Sequence, residues 1–184
     1  MELVALHRHW IYADRMRLVF SSSLRTPRAT DSLESASAAA RIVVYDLTEP
    51  GIFMSFWYGA LYVVIEGYRD LKLAEPNIDA LLQSPNVDHL RQFRNGTFHF
   101  QKNPYSQKRV HLMASPSSVT WVQDIHKQLG VFIVKSLIDR IPEDSRAEFM
   151  SGLGEYETVI RSIVSMKIAS DLQRETKNAG PPTQ

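Results

Sequence analysis

Cysteine is absent from the sequence, which excludes disulfide bridges, thiolate nucleophiles and cysteine-ligated zinc sites. Long hydrophobic runs are absent too. The most apolar stretch, residues 51–65, is interrupted by Ser55 and followed by Glu66, whereas about 20 apolar residues are needed to span a bilayer. The first residues show no basic region followed by an apolar run, so no secretory signal is predicted. These absences predict a cytoplasmic protein without a membrane segment, in which residues 51–65 belong to a core helix.

Acidic residues are missing from one long interval. No Asp or Glu lies between Asp88 and Asp124, although the whole chain has a net charge of only +1. The interval contains five cationic residues and half of the six histidines, namely Arg91, Arg94, Lys102, Lys108, Arg109, His89, His99 and His111. The rest of the chain therefore sums to −4. A nearly neutral protein with such a basic segment can present a local site for a polyanion.

The apolar–polar alternation that is typical of strands is also missing, and apolar residues recur at helical spacing instead. We predict an all-α fold, a compact up-and-down bundle of about five to six helices. The helices are expected at residues 2–24, 31–48, 52–73, 86–103, 115–140 and 155–172, with a short helical turn at 77–83 and a polar loop at 103–114. The length of 184 residues suits one domain, which we place at 1–176, before a flexible tail at 177–184.

The predicted helix at 86–103 has two distinct faces. One face is apolar and consists of Leu90, Phe93, Thr97 and Phe100, and the roughly opposite face carries Gln92, Asn95 and His99. The very apolar helix before it contains Glu66 near its end. A buried carboxylate without a partner is costly, so Glu66 is expected to reach solvent or to pair with a cation.

Arg94, Asn95 and His99 form an R-x4-H pattern. Placed after a very apolar helix in an all-helical chain, this pattern resembles the HEPN superfamily (higher eukaryote and prokaryote nucleotide-binding domains) over roughly residues 31–140. Active members carry R-x4-6-H, often with Asn, Asp or His directly after the arginine. The resemblance implies a metal-independent endoribonuclease of the toxin or phage-defence type, which acts on RNA without a cofactor. It also implies a homodimer and control by an antitoxin or another regulatory protein.

One branch of these toxins has a tyrosine two residues after the histidine, and a partner nucleotidyltransferase modifies that tyrosine. Here Gln101 occupies the corresponding position, and Tyr105 is out of register. The resemblance therefore does not extend to control through that modification.

The residue types suit RNA cleavage, because RNA carries its own nucleophile, the 2′-hydroxyl. His99 is the expected general acid/base, and Arg94 is expected to bind the phosphate oxygens. Asn95 would orient the phosphate or the imidazole of His99. Further contacts to RNA phosphates are expected from Arg91, Lys102, Lys108 and Arg109. On an ideal helix, Arg94 and His99 would project about 140° apart, which leads us to predict that a second subunit completes the site.

Other interpretations stay open. Arg94 can serve as a structural partner of Glu66, with His99 in a packing or surface role, or Glu66 can hold Arg94 in place for catalysis. The alternative function is a non-catalytic HEPN module that binds RNA, a nucleotide or a protein partner. Two residue pairs, His7 with His9 and His126 with Asp124, lack a third ligand nearby, so no metal site is predicted. Four aromatic residues at helical spacing are expected to pack in the core rather than to stack on bases, namely Trp57, Tyr58, Tyr62 and Trp121.

Overall fold

The computed structural model describes residues 2–24, 38–100, 102, 107–145, 147 and 151. The described residues form seven α-helices and no strand, so the all-α prediction is confirmed. The helices are α1 (Glu2–Ser23), α2 (Ala38–Asp46), α3 (Glu49–Asp70), α4 (Pro76–Leu81), α5 (Asn86–Phe98), α6 (Gln107–Ala114) and α7 (Pro116–Ile138). Within this part of the chain, no helix combines the length and apolar character that crossing a membrane requires.

The chain divides into two compact units, Met1–Leu137 and Ile138–Gln184. All seven helices belong to the first unit, apart from Ile138 at the end of α7. The helix expected at 155–172 and the tail expected at 177–184 lie outside the described residues. The single domain at 1–176 stays a prediction.

Helix α3 is the central element, as its apolar composition predicts. Twelve of its 22 residues are buried, and it packs against α1, α2 and α5. The helix begins after Thr48, whose Oγ1 accepts a hydrogen bond from the Gly51 N–H at 3.3 Å, and Pro50 lies in its first turn. Both features are typical of helix starts. The helix ends before Leu71, and the next residue, Lys72, has a φ of 52°.

A buried histidine joins α1, α3 and α7. Trp57 Nε1 donates to His126 Nδ1 at 3.2 Å, and the other ring nitrogen, Nε2, lies 3.1 Å from Asp14 Oδ1. Asp14 also accepts from Arg17 Nη2 at 2.8 Å, and Trp10 Nε1 donates to the His126 carbonyl at 3.2 Å. His126 and Asp124, the pair considered from the sequence, do not form a hydrogen bond. The carboxylate that His126 contacts is that of Asp14 on α1.

Two element predictions were wrong. The polar loop expected at 103–114 contains helix α6, which the fully buried Leu112 anchors. The helix expected to continue to residue 103 ends at Phe98. Phe100 is therefore not on a packed helix face, and its side chain is 92% exposed. Leu90 and Phe93 do form the packed face, since both are fully buried.

Candidate active site

Helix α5 packs against α3 and α6 and leaves the rest of its surface to solvent. Phe93 is fully buried, and its ring meets the Tyr58 ring edge-on at a centroid distance of 5.2 Å. This packing turns Arg91 outward and leaves Arg94 and Asn95 partly exposed. The basic residues of α5 therefore line the outer edge of its contact with α3.

Arg94 is held by two acceptors. Its Nη2 lies 3.4 Å from Glu66 Oε2 on α3, and its Nη1 donates to Asn95 Oδ1 at 3.1 Å. The Arg94 and Glu66 side chains are 28% and 40% exposed, so this ion pair contributes little to stability. The ion pair instead holds the Arg94 guanidinium at the edge of α5, where part of it still faces solvent. The contact between Arg94 and Glu66 that the sequence suggested is present.

Two further arginines lie around the same position. Burial raises the pKa of the Tyr62 hydroxyl, and the negative charge of Glu66 raises it further, while Arg91, Arg69 and Arg94 oppose the shift. The charges of three arginines thus act on the Tyr62 hydroxyl, and we call Arg69, Arg91 and Arg94 the arginine cluster. Arg69 was missed from the sequence. It follows Glu66 by three residues on α3, and that spacing places it on the same side of the helix.

The cluster is partly neutralised by acids. Arg91 Nε donates to Asp88 Oδ1 at 3.1 Å, and this carboxylate raises the pKa of Arg91. The carboxylates of Asp88 and Glu66 therefore offset part of the positive charge of Arg91 and Arg94.

His99 is positioned differently from the prediction. It follows the last residue of α5, has extended backbone angles (φ −128°, ψ 139°), and donates its backbone N–H to the Asn95 carbonyl at 3.0 Å. The expected helical face shared by Asn95 and His99 is therefore wrong, because residue 99 is not helical. The His99 side chain is exposed, and its imidazole makes no hydrogen bond to any residue that the structure describes.

The direction in which His99 leaves the helix depends on its neighbour Phe98. The Phe98 ring covers Gly59 of α3 and lies 6.0 Å from the Phe56 ring, measured between centroids. A Cβ on Gly59 would be only 2.5 Å from Phe98 Cε2. Glycine at 59 therefore permits the contact that fixes the end of α5 and, with it, the backbone of His99.

The other residues predicted to bind RNA are only partly located. Lys102 is exposed. Lys108 and Arg109 belong to α6, which packs against α5, but their side chains lie outside the described part of the chain, as do Gln101 and Tyr105.

A pair of histidines lies at the contact between α5 and α6. The His89 and His111 rings meet edge-on at 4.9 Å, and His89 Nδ1 lies 3.3 Å from Asn86 Oδ1. The sequence placed both histidines in the acid-free interval but gave no sign of their contact. Among the described residues, no three His, Asp or Glu side chains are grouped so that they could hold a metal ion.

Comparison of the chain with protein-family models, curated proteins and solved structures gives no significant match. Membership of the HEPN superfamily therefore stays a prediction from residues 94–99 and the helical context. The chemistry of the site has to be argued from its own geometry.

Proposed function

We propose that this protein is a metal-independent endoribonuclease of the HEPN type, with its active site at the C-terminal end of α5. One observation supports this proposal above the others. An exposed imidazole without a hydrogen-bond partner among the described residues, that of His99, follows an arginine whose guanidinium is oriented by Glu66 and Asn95. Phosphodiester cleavage by the 2′-hydroxyl requires a group that can transfer a proton and a cation that binds the phosphate, and these two residues are of the types that supply them.

In the proposed reaction, His99 takes the proton of the 2′-hydroxyl, whose oxygen then attacks phosphorus. The P–O5′ bond breaks, and the 5′-oxygen receives a proton from an acid. The products are a 2′,3′-cyclic phosphate and a 5′-hydroxyl. Arg94 stabilises the charge on the pentacoordinate phosphorane, and Asn95 keeps the guanidinium in place.

The remaining cations serve to bind the RNA strand. We propose that Arg69, Arg91 and Lys102 contact phosphates on either side of the cleaved bond, because the charges of Arg69 and Arg91 act on Tyr62 together with that of Arg94 and Lys102 follows His99 by three residues. Lys108 and Arg109 are proposed for the same role. We place this activity in a cytoplasmic toxin or phage-defence protein under the control of an antitoxin or another regulatory protein.

The contact between Arg94 and Glu66 also favours a second candidate, a non-catalytic module that binds RNA, a nucleotide or a protein partner. An arginine whose two terminal nitrogens already have acceptors can bind a phosphate through its exposed edge without supporting a transition state. In that case His99 makes contacts only.

RNA cleavage in EDTA separates the two candidates. We expect the purified protein to cleave a fluorescently labelled single-stranded RNA in EDTA and to leave 2′,3′-cyclic phosphate ends. His99→Ala and Arg94→Ala should each lower the rate by about 100-fold or more. Arg8→Ala and His9→Ala, on α1 and outside the cluster, are the matched controls and should cleave at the wild-type rate.

RNA binding without cleavage by the wild-type protein would support the non-catalytic module. Cleavage that is equal in the wild type and in the His99→Ala and Arg94→Ala variants would place the activity elsewhere or in a contaminant. A Glu66→Gln variant tests the positioning role. It should retain more activity than Arg94→Ala, because it disturbs the orientation of the guanidinium without removing it.

A further inference from the structure

A cavity of about 470 Å³ lies in the first unit, where α1, α2, α3, α6 and α7 converge. Its walls are mostly apolar and include Phe20, Ile42, Met54, Trp57, Met113 and Val119. This volume is in the range of small-molecule sites. The aromatic rings offer flat surfaces to a ligand, and the two methionines can adapt to its shape. No residue of the candidate active site lines the cavity.

Tyr58 brings an unsatisfied polar group to this cavity. Its side chain is only 2% exposed, and its hydroxyl has no hydrogen-bond partner among the residues that the structure describes. Burial raises the pKa of this hydroxyl, as does the neighbouring Tyr45. Buried hydroxyls in folded proteins are nearly always hydrogen-bonded, so this one requires an explanation.

Another buried tyrosine of α3, Tyr68, allows a direct comparison with Tyr58. Tyr68 is also 2% exposed, and its hydroxyl donates to Asp79 Oδ1 at 2.8 Å. The buried indoles are satisfied as well, since Trp57 donates to His126 and Trp121 donates to the Leu81 carbonyl. Of these four aromatic donors, only Tyr58 has no hydrogen-bond partner among the described residues, and it lines the cavity together with Trp57.

Two polar side chains complete the lining. Arg41 of α2 and Gln123 of α7 are both exposed and both line the cavity, so they lie at its solvent-facing part. Arg41 makes no ion pair with a carboxylate of any described residue. The cavity thus offers an apolar interior, a lining tyrosine whose hydroxyl has no hydrogen-bond partner among the described residues, and an exposed arginine without an ion pair to a described carboxylate.

We propose that this cavity binds a small aromatic carboxylic acid that carries a second oxygen, either a hydroxyl or a carbonyl. The aromatic body occupies the apolar interior, the second oxygen accepts the hydrogen bond from Tyr58, and the carboxylate pairs with Arg41. The proposal does not depend on the endoribonuclease activity, because the cavity and the arginine cluster share no residue.

Three related probes test each contact separately by isothermal titration calorimetry. These are 6-hydroxy-2-naphthoate, 2-naphthoate, which lacks the hydroxyl, and 2-naphthol, which lacks the carboxylate. We expect the wild-type protein to bind 6-hydroxy-2-naphthoate the most tightly. Tyr58→Phe should weaken this binding by about 3- to 10-fold, as expected for one neutral hydrogen bond. Arg41→Gln should weaken it by about 10-fold or more, as expected for a charge-assisted one.

The cross-comparisons make the test specific. Tyr58→Phe should leave the affinity for 2-naphthoate unchanged, and Arg41→Gln should leave that for 2-naphthol unchanged. Val119→Trp, which fills the cavity, should abolish binding of all three probes while the far-ultraviolet circular dichroism stays helical. Arg8→Gln is the control for an exposed arginine outside the cavity and should bind like the wild type.

A stability measurement without any probe adds an independent readout. Tyr58→Phe should unfold at the same temperature as the wild type or higher, because it removes an unsatisfied hydroxyl. Tyr68→Phe, which breaks the bond to Asp79, should unfold at a lower temperature. The proposal is overturned if the wild type binds none of the probes, if Tyr58→Phe and Arg41→Gln bind them with wild-type affinity, or if Tyr58→Phe lowers the unfolding temperature as much as Tyr68→Phe.

Discussion

Replacing Asp14 with alanine should destabilise the protein by leaving a buried histidine without its acceptor. The Trp57 indole donates to His126 Nδ1, so the ring proton of His126 belongs on Nε2 and points to Asp14 Oδ1 at 3.1 Å. The His126 side chain is only 6% exposed. After the substitution, its Nε2–H has neither a protein acceptor nor ready access to water.

The magnitude follows from two contributions. A buried donor that loses its acceptor costs about 1–3 kcal/mol. The pair between Asp14 and Arg17 adds only about 0–1 kcal/mol, because the Arg17 side chain is 34% exposed. We therefore expect Asp14→Ala to lower the free energy of unfolding by about 1–4 kcal/mol and Arg17→Ala by less than about 1 kcal/mol. Asp14→Asn should lie between them, since the amide oxygen can still accept from His126.

Urea unfolding at a series of pH values gives the second half of this test. Burial alone would raise the pKa of Asp14, but the hydrogen bonds from His126 and Arg17 outweigh it, and the net pKa lies below the ordinary value. The stabilisation is therefore complete above the unfolded-state pKa of about 3.9 and is lost as the pH falls through the lower folded-state pKa. The difference between the wild type and Asp14→Ala should be present at pH 5 (a value about 1 unit above that pKa) and should shrink in stronger acid.

Asp124→Ala is the matched control, because Asp124 is an exposed acid two residues from His126 on the same helix. It should change the free energy of unfolding by less than about 0.5 kcal/mol. Equal losses for Asp14→Ala and Asp124→Ala would refute the role assigned to the buried histidine. A difference in the free energy of unfolding between the wild type and Asp14→Ala that grows in stronger acid would refute the lowered pKa of Asp14 as its source.

Four other substitutions test α5, its end and its contact with α3. Phe100→Ser should change the free energy of unfolding by less than about 0.5 kcal/mol, whereas Phe93→Ala should cost about 3–5 kcal/mol; urea unfolding checks both, and a large loss at Phe100 would contradict its exposure. Gly59→Ala should displace the Phe98 ring, and because this ring is 45% exposed and can move, the free energy of unfolding should change by less than about 1 kcal/mol; if the proposed RNA cleavage occurs, the displaced ring should also slow it by moving His99. In a Phe98→Ala background any cost of Gly59→Ala should disappear, and equal costs in both backgrounds would show that the ring is not the obstacle.

Sequence periodicity predicted the long helices well, because their burial follows from local patterns. Helix α3 has apolar residues on nearly all sides, and the structure places it in the centre of the first unit. Helix α7 starts at Pro116 after a serine, as its proline and serine suggest. Helix α6 was missed because only four of its eight residues are apolar; among its residues whose burial is described, Leu112 is fully buried and Met113 packs against the core.

The candidate site shows where local patterns stop being sufficient. The contact between Glu66 and Arg94 could be anticipated, because a carboxylate on a very apolar helix needs a cation. The residue at which α5 ends could not be anticipated, because it depends on the packing of Phe98 over Gly59. These two residues lie 39 positions apart in the sequence. The partner of His126 is 112 positions away. Asp124, two residues from it on one helix, does not face it.

A homodimer is still expected. The reason is now that cleavage needs two groups that transfer protons, and no longer the angle at which Arg94 and His99 project from the helix. His99 lies beyond the last helical residue, so the helix does not fix its angle to Arg94. Cleavage needs both a base for the 2′-hydroxyl and an acid for the 5′-oxygen, whereas the end of α5 presents one imidazole. His89 lies ten residues earlier, about 15 Å away along the helix, and its ring contacts His111.

The second imidazole is therefore expected from His99 of another copy, with two copies of the α5 end facing each other about a two-fold axis. Cleavage per mole of protein should then fall on dilution, in parallel with dissociation of the dimer measured by analytical ultracentrifugation. The His99→Ala variant should dimerise with the same affinity as the wild type while being inactive. A protein that is strictly monomeric and fully active would show that a single His99 is sufficient.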